Sequence, residues 1–473
     1  MIRAASSWKD RTEHDLLGER SVPAEAYYGI PTLRALENFQ ISGVPISHYP
    51  ELIRALAMIK LAAARANADC GQLPRKLLPA VEKACRDVIE GRLHDQFPVD
   101  VYQGGAGTSV NMNANEVLAN RALEHLGKRK GDYEFCSPHD HLNASQSTND
   151  AYPSALHLAM ALMNTRLVSE MKALARAFRE KGKEMRDVVK MGRTQLQDAV
   201  PMTLGQEFYA FAASLENEVD VLERVERALL EVNMGGTAIG TGLNAPPGFG
   251  QKCVRHLTEI SGKTITLAED LVEATQDTQP FVLYSGVLKS VAIKLSKICN
   301  DLRLLSSGPR AGLHEITLPP MQPGSSIMPG KVNPVIPEVM NQICYRIIGN
   351  DLTVTMAAEA GQLQLNVMEP VIALCILDGQ TLFINGARTL RERCIEGIEP
   401  DREACRAFLE RSIGIVTALN PVIGYDRATQ LAEEAMRTGK GILELVRKKK
   451  VLTEAQIRKV LDARGMVGTR RER

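Results

Sequence analysis

Three runs of apolar residues at steps of three and four limit what this chain can fold into. From Phe208 the series Phe211, Leu215, Val219, Leu222, Val225, Leu229 and Val232 continues without a proline. At about 1.5 Å per residue the spacing predicts one helix roughly 40 Å long, of about seven turns. A second series runs Tyr284, Leu288, Val291, Leu295, Ile298, Leu302 and Leu305, and a shorter third runs Met163, Leu167, Met171, Leu174 and Phe178. A stripe on one face of a long helix has to be buried against other helices, so the middle of the chain reads as a helix bundle. Stripes of this length also invite burial against further subunits, which points to a homo-oligomer. Only 4% of the chain is aromatic, so the core must come from Leu, Val, Ile, Ala and Met.

The regions on either side differ. Residues 1–150 mix short helical runs with glycine- and asparagine-rich loops, among them Gly104, Gly105 and Gly107, and Ser145–Asp150 ended by Pro153. Residues 151–400 carry the bundle. Residues 401–473 read as a small C-terminal helical domain, in which Pro421 and Gly424 break the chain and Ile442–Val446 and Ile457–Leu461 form short helices. Strands are scarce. The length of 473 residues suits two to four units at about 150 residues each.

Several classes of function are set aside by composition. The 57 basic and 56 acidic residues leave a net charge of +1, so nothing draws the chain to nucleic acid or an anionic membrane. The cluster Lys448–Lys450 decorates a helix end. Nine scattered cysteines contain no C-x-x-C pair, which argues against a disulfide framework and a zinc site and for reduced thiols in the cytoplasm. Met1–Glu13 has no apolar core of a signal peptide, and no stretch approaches 18 apolar residues, so no membrane span is expected.

Four polar segments interrupt the helical background: Gly104–Ser109 followed by Asn111 and Asn113, Ser145–Asp150, Met191–Asp198, and Gly324–Pro334. Each could serve only as a turn or cap, and Ser147 or Thr148 could simply cap a helix starting near Ala151. Together they offer many neutral donors, backbone N–H groups and a lysine, a set suited to a small dianion. The chain has no G-x-x-x-x-G-K-[ST], and its glycines lack dinucleotide-binding spacing. The fourth segment, with two serines, a lysine and an Asn-Pro in eleven residues, is hard to read as a mere connector.

GSSIMPGKVNPVIPE, Gly324 to Glu338, resembles the signature of the fumarase/aspartase superfamily. The resemblance runs from Asp15-Leu16-Leu17-Gly18 to Asn420-Pro421. It is strongest to the aspartase branch in Asp95–Asn120, Met191–Phe208 and Gly349–Ile372. It implies a mainly α, three-domain fold whose long central helices join a shared bundle in a homotetramer, with active sites built from loops of three subunits. The implied reaction is an anti elimination of ammonia from L-aspartate to fumarate through an aci-carboxylate, with no cofactor and no metal. Fumarate hydratase is the neighbouring alternative. A non-catalytic structural protein is the distant one, since the superfamily includes lens proteins derived from a lyase.

The resemblance assigns roles by motif position. Ser325 is the general base. Thr108, Ser147, Thr148 and Ser326 hold the side-chain carboxylate and its aci form. Lys331, Asn333 and Thr194 hold the α-carboxylate, and Asn149 and Gln195 contact the amino group. Glu338 orients neighbours. Fumarases resemble G-R-T-H where this chain has Gly192-Arg193-Thr194-Gln195. A neutral amide cannot relay a proton as histidine can. An ammonium leaving group is already protonated and needs less acid help than hydroxide, so Gln195 favours ammonia.

Overall fold

The structure, a computed structural model, describes residues 10–460. Leu461, the expected end of the last short helix, lies outside them, as do the first nine residues of Met1–Glu13. Five long helices dominate: Thr148–Glu184, Leu204–Val225, Gln279–Leu305, Val335–Glu359 and Glu369–Arg393. The described chain forms two compact units that interleave along the sequence. The first takes residues up to Val168, Val221–Lys289 and Arg346–Leu382; the second takes Ser169–Asp220, Ser290–Tyr345 and Phe383 onward. The chain passes repeatedly from one to the other.

The second and third stripes are buried along their whole length; every member from Tyr284 to Leu305 and from Met163 to Phe178 is in the core. The first over-reads its helix. The α-helix stops at Val225, a 3-10 turn covers Glu226–Leu230, and Glu231–Val232 pairs as a short parallel strand with Thr266–Leu267. Leu229 and Val232 remain buried. Spacing alone cannot separate a continuing helix from one that tightens into a 3-10 turn and then extends. The helix of 22 residues therefore spans about 33 Å, not 40.

In the first unit the long helices are tied by buried polar contacts. Tyr284 donates to Asn164 Oδ1 at 2.8 Å, and Gln380 Nε2 donates to the Met160 carbonyl and to Tyr284 Oη. Asn164 Nδ2 also reaches the Leu222 carbonyl, and Asn350 Nδ2 reaches that of Cys375. Such contacts fix register where apolar packing would tolerate sliding. The same unit carries the hairpin Arg11–Asp15/Gly18–Val22 and the helices Pro50–Asp69, Leu78–Ile89, Thr108–His125 and Phe249–Ser261.

In the second unit Phe178, Phe208 and Phe211 form a cluster in which Phe211 packs edge-to-face with the other two. The hairpin Val189–Thr194/Gln197–Thr203 rests on the C-terminal helices through Met191, which joins Leu409, Ile415, Leu419, Leu431, Ile442 and Ile457 in one core. Pro421 does not break the chain but lies inside the helix Val416–Ile423; Gly424, at φ 79°, ends it. The stretch Glu369–Gly397 is long and apolar enough to cross a membrane by length and composition, which the absence of an 18-residue apolar run did not lead one to expect; 67% of its apolar window is buried within the protein, as in a core helix.

Candidate functional site

Thr108 opens the helix Thr108–His125, so Thr108, Ser109, Asn111 and Asn113 are helical rather than loop residues. The approach is a tight turn in which Gly105, Ala106 and Gly107 all have positive φ. A Cβ at Gly107 would stand 2.2 Å from the ring of Tyr152, so only glycine lets this turn sit against it. Thr108 Oγ1 donates to the Gly105 carbonyl at 2.8 Å.

The second segment starts its helix earlier than the proline suggested. Thr148 is already helical and Pro153 sits inside the helix. Proline has no N–H to give the Asn149 carbonyl; Asn233 Nδ2 fills that place at 2.9 Å. Ser147 does act as a cap: its Oγ accepts from Asn149 N at 3.2 Å, and its own N–H reaches Asp150 Oδ1 at 2.9 Å. Asp150 is fully buried and also accepts from the N–H groups of Gly235 and Thr237. Burial pushes its carboxyl up to about 6 against those N–H donors. Thr148 Oγ1 accepts from Asn111 Nδ2 at 3.0 Å, and Asn149 Nδ2 donates to the Ala238 carbonyl at 2.8 Å.

Thr194 and Gln195 lie at the tip of the Val189–Thr203 hairpin. Gln195 and Leu196 have φ of 55° and 61°, the geometry of a two-residue turn that matches strand twist. Both are exposed. Behind the tip, Arg193 and Lys190 pair with the buried Glu315 at 2.8 Å each.

The fourth segment is a closed loop. Pro323 bridges Val332, Gly324 N donates to the Lys331 carbonyl at 2.6 Å, and Asn333 Nδ2 donates to the Gly324 carbonyl at 3.0 Å. A Cβ on Gly324 would lie 2.8 Å from the Lys331 oxygen, so the closure requires glycine. Within the loop Ser325 Oγ accepts from the N–H groups of Ile327 and Met328, both at 3.2 Å. Ser325 and Lys331 line a cleft of about 460 Å³ with Met328 and Pro329, and Ser326 and Lys331 are exposed. Glu338 stands in the first turn of Val335–Glu359.

Thr108, Ser147, Thr148 and Asn149 thus belong to the first unit, and Thr194, Gln195, Ser325, Ser326, Lys331 and Asn333 to the second. A larger cleft of about 850 Å³ in the first unit touches Thr108, but Glu13, Asp15, Glu116 and Glu134 line it too; so acidic a lining suits a dianion poorly. No group of three or more potential metal ligands occurs among the described residues. Sequence reasoning missed Lys60, Asn143 and Asn233, which bond the Ser145–Asp150 segment, and Asn115, which bonds Asn143. The i, i+4 spacing of Asn111 and Asn115 was the available signal: it places two amides on one helix face.

Comparison with known proteins shows the family to which the chain belongs. A family model described as Lyase matches residues 18–349, and one described as Fumarase C C-terminus matches 415–468. The aspartate ammonia-lyase of Pseudomonas aeruginosa is 57% identical over 461 residues, 97% of each chain. A solved fumarate lyase:delta crystallin from Brucella melitensis is 55% identical with a TM-score of 0.93, covering 96% of this chain and 99% of its own. A class II fumarase from Schistosoma mansoni is 35% identical with a TM-score of 0.89, covering 96% and 98%. The chain therefore belongs to the fumarase/aspartase family of lyases.

Proposed function

We propose that this protein catalyses the reversible anti elimination of ammonia from L-aspartate to fumarate, with Ser325 as the general base. The observation that carries the chemistry is the pair of backbone N–H groups on Ser325 Oγ. An ordinary serine hydroxyl is a poor base. Two N–H donors stabilise its alkoxide, and the Lys331 cation a few residues on adds to that. Ser325 takes the proton from the carbon next to the side-chain carboxylate, and the charge passes into that carboxylate as an aci dianion. Thr108, Ser147, Thr148 and Ser326 meet it with hydroxyls, where donors act on charge that develops only in the transition state. Thr108 must turn its hydrogen from Gly105 to do so. Lys331, Asn333 and Thr194 hold the α-carboxylate. Asn149 has its Nδ2 engaged by Ala238, which leaves Oδ1, an acceptor, for the ammonium; Gln195 provides a second neutral contact.

The working form is a homotetramer in which each site draws these segments from three subunits. Support comes from the exposed apolar face of Val335–Glu359, where Tyr345, Leu352 and Met356 remain 57–66% exposed, too much for a helix left in water. All nine cysteines are unpaired, which suits the cytoplasm.

Replacement Ser325→Ala tests the assignment. Aspartate turnover should fall at least 10²-fold, the usual size of a lost general base, while succinate still binds. Turnover within about tenfold of the parent would remove Ser325 from the role.

A further inference from the structure

We propose that Lys60 is a positioning residue for this reaction: a buried amine behind the Ser147–Asn149 segment that, through Asn143 and Asn111, holds Thr148 as a hydrogen-bond donor to the carboxylate on which charge develops. The proposal rests on the elimination reading given above. Lys60, on the helix Pro50–Asp69, is fully buried. Its Nζ donates to Asn143 Oδ1 at 3.2 Å and to Gln146 Oε1 at 3.0 Å. Both acceptors are neutral amides. The carboxylate whose charge acts on Lys60 is Asp150, whose oxygens are taken by backbone N–H groups.

A buried ammonium held by neutral partners is costly, and an apolar side chain of the same length would suit a packed core better. The hydrogen-bond directions show what the charge does instead. Asn143 Oδ1 receives three donors: Lys60 Nζ, Asn111 Nδ2 at 3.2 Å and Asn115 Nδ2 at 3.1 Å. Asn111 Nδ2 spends its other hydrogen on Thr148 Oγ1 at 3.0 Å. With its oxygen accepting, Thr148 has its own hydrogen left to point outward. Lys60 and Asn111 donate into the same oxygen, so the lysine fixes which way the Asn143 amide faces, and that oxygen in turn sets Asn111 with its Nδ2 toward Thr148. Gln146 is set the same way: its Oε1 faces Lys60, so its Nε2 donates to the Leu142 and Ala144 carbonyls at 3.0 Å each. This anchors the turn that leads into Ser147.

The groups facing Lys60 are Asp150 from the Thr148–Glu184 helix, Cys85 from Leu78–Ile89 and Cys253 from Phe249–Ser261. Burial outweighs them and holds the ammonium down at about 7. A dianion settling on Thr148 favours the charged lysine, so binding near pH 8 draws in a proton.

Two measurements test this. Calorimetric titration of the parent enzyme with succinate at pH 8, in buffers of different ionisation heat, should show net proton uptake, and Lys60→Gln should lose it. In Lys60→Gln kcat should drop about 10²-fold, the scale of a lost transition-state donor, with KM within about fivefold; a merely structural lysine would lower thermal stability without this split. A folded Lys60→Gln with turnover within about threefold overturns the proposal. Where Lys60→Gln does not fold, Asn111→Ala, which cuts the link from Asn143 to Thr148, takes its place, and the same result there overturns it. Proton uptake in a parent enzyme that does not turn over aspartate would keep Lys60 as the anion-site cation and overturn the substrate reading instead.

Discussion

In the proposed reaction the choice of leaving group rests on the side chain at position 195. Gln195 sits exposed at a hairpin tip with positive φ, a conformation that histidine tolerates better than most residues. Gln195→His should therefore fold with a melting temperature within about 2 °C of the parent, as exposed substitutions usually do. Its aspartate turnover should stay within about tenfold, because an ammonium needs no acid to leave. Complete loss of activity in a folded oligomer would show that the amide does more than touch the amino group. The motif residues were legible one by one, since Ser325, Lys331 and Asn333 stand in a long and specific pattern. What surrounds them was not. Nothing in the sequence marks Lys60 as buried: a lysine in an alanine-rich helix reads as a solvated side chain until tertiary packing covers it.

At the scale of elements, periodicity found the long helices and misplaced their ends. The stripes from Tyr284 and Met163 are buried throughout. The Phe208 stripe ran past Val225 because a 3-10 turn keeps nearly the same spacing. Pro153 signalled a loop, yet the helix begins at Thr148 because Asn233, more than eighty residues downstream, supplies the donor that proline lacks. That compensation is long-range and invisible locally. It also makes a prediction. Asn233 is buried and bonds Asn149, Ser154 and Thr275. Asn233→Ala should cost about 1–3 kcal/mol through the orphaned Asn149 carbonyl and lower turnover by loosening Asn149. Thermal melting and steady-state rates check both; a variant as stable and as active as the parent would mean that the start of the helix holds without this contact.

For the whole molecule, the net charge of +1 conceals buried ionisable groups whose energies depend on pH. Glu116 is fully buried, accepts from Gly29 N and Thr32 Oγ1, and is raised to about 8, first by burial and then by neighbouring Glu13. Its unfolded carboxyl titrates near 4.5. The stability it contributes is complete below that value and is lost as pH rises through 8. Glu116→Gln should therefore gain in melting temperature relative to the parent between pH 6 and 9, with the gap widening upward; a constant gap would assign Glu116 an unshifted pKa. The central claim, that this family member eliminates ammonia rather than water, is tested most directly by following fumarate absorbance with purified protein, L-aspartate and, in parallel, L-malate. The account predicts that absorbance rises with aspartate and stays flat with malate. A rise with malate alone would contradict it.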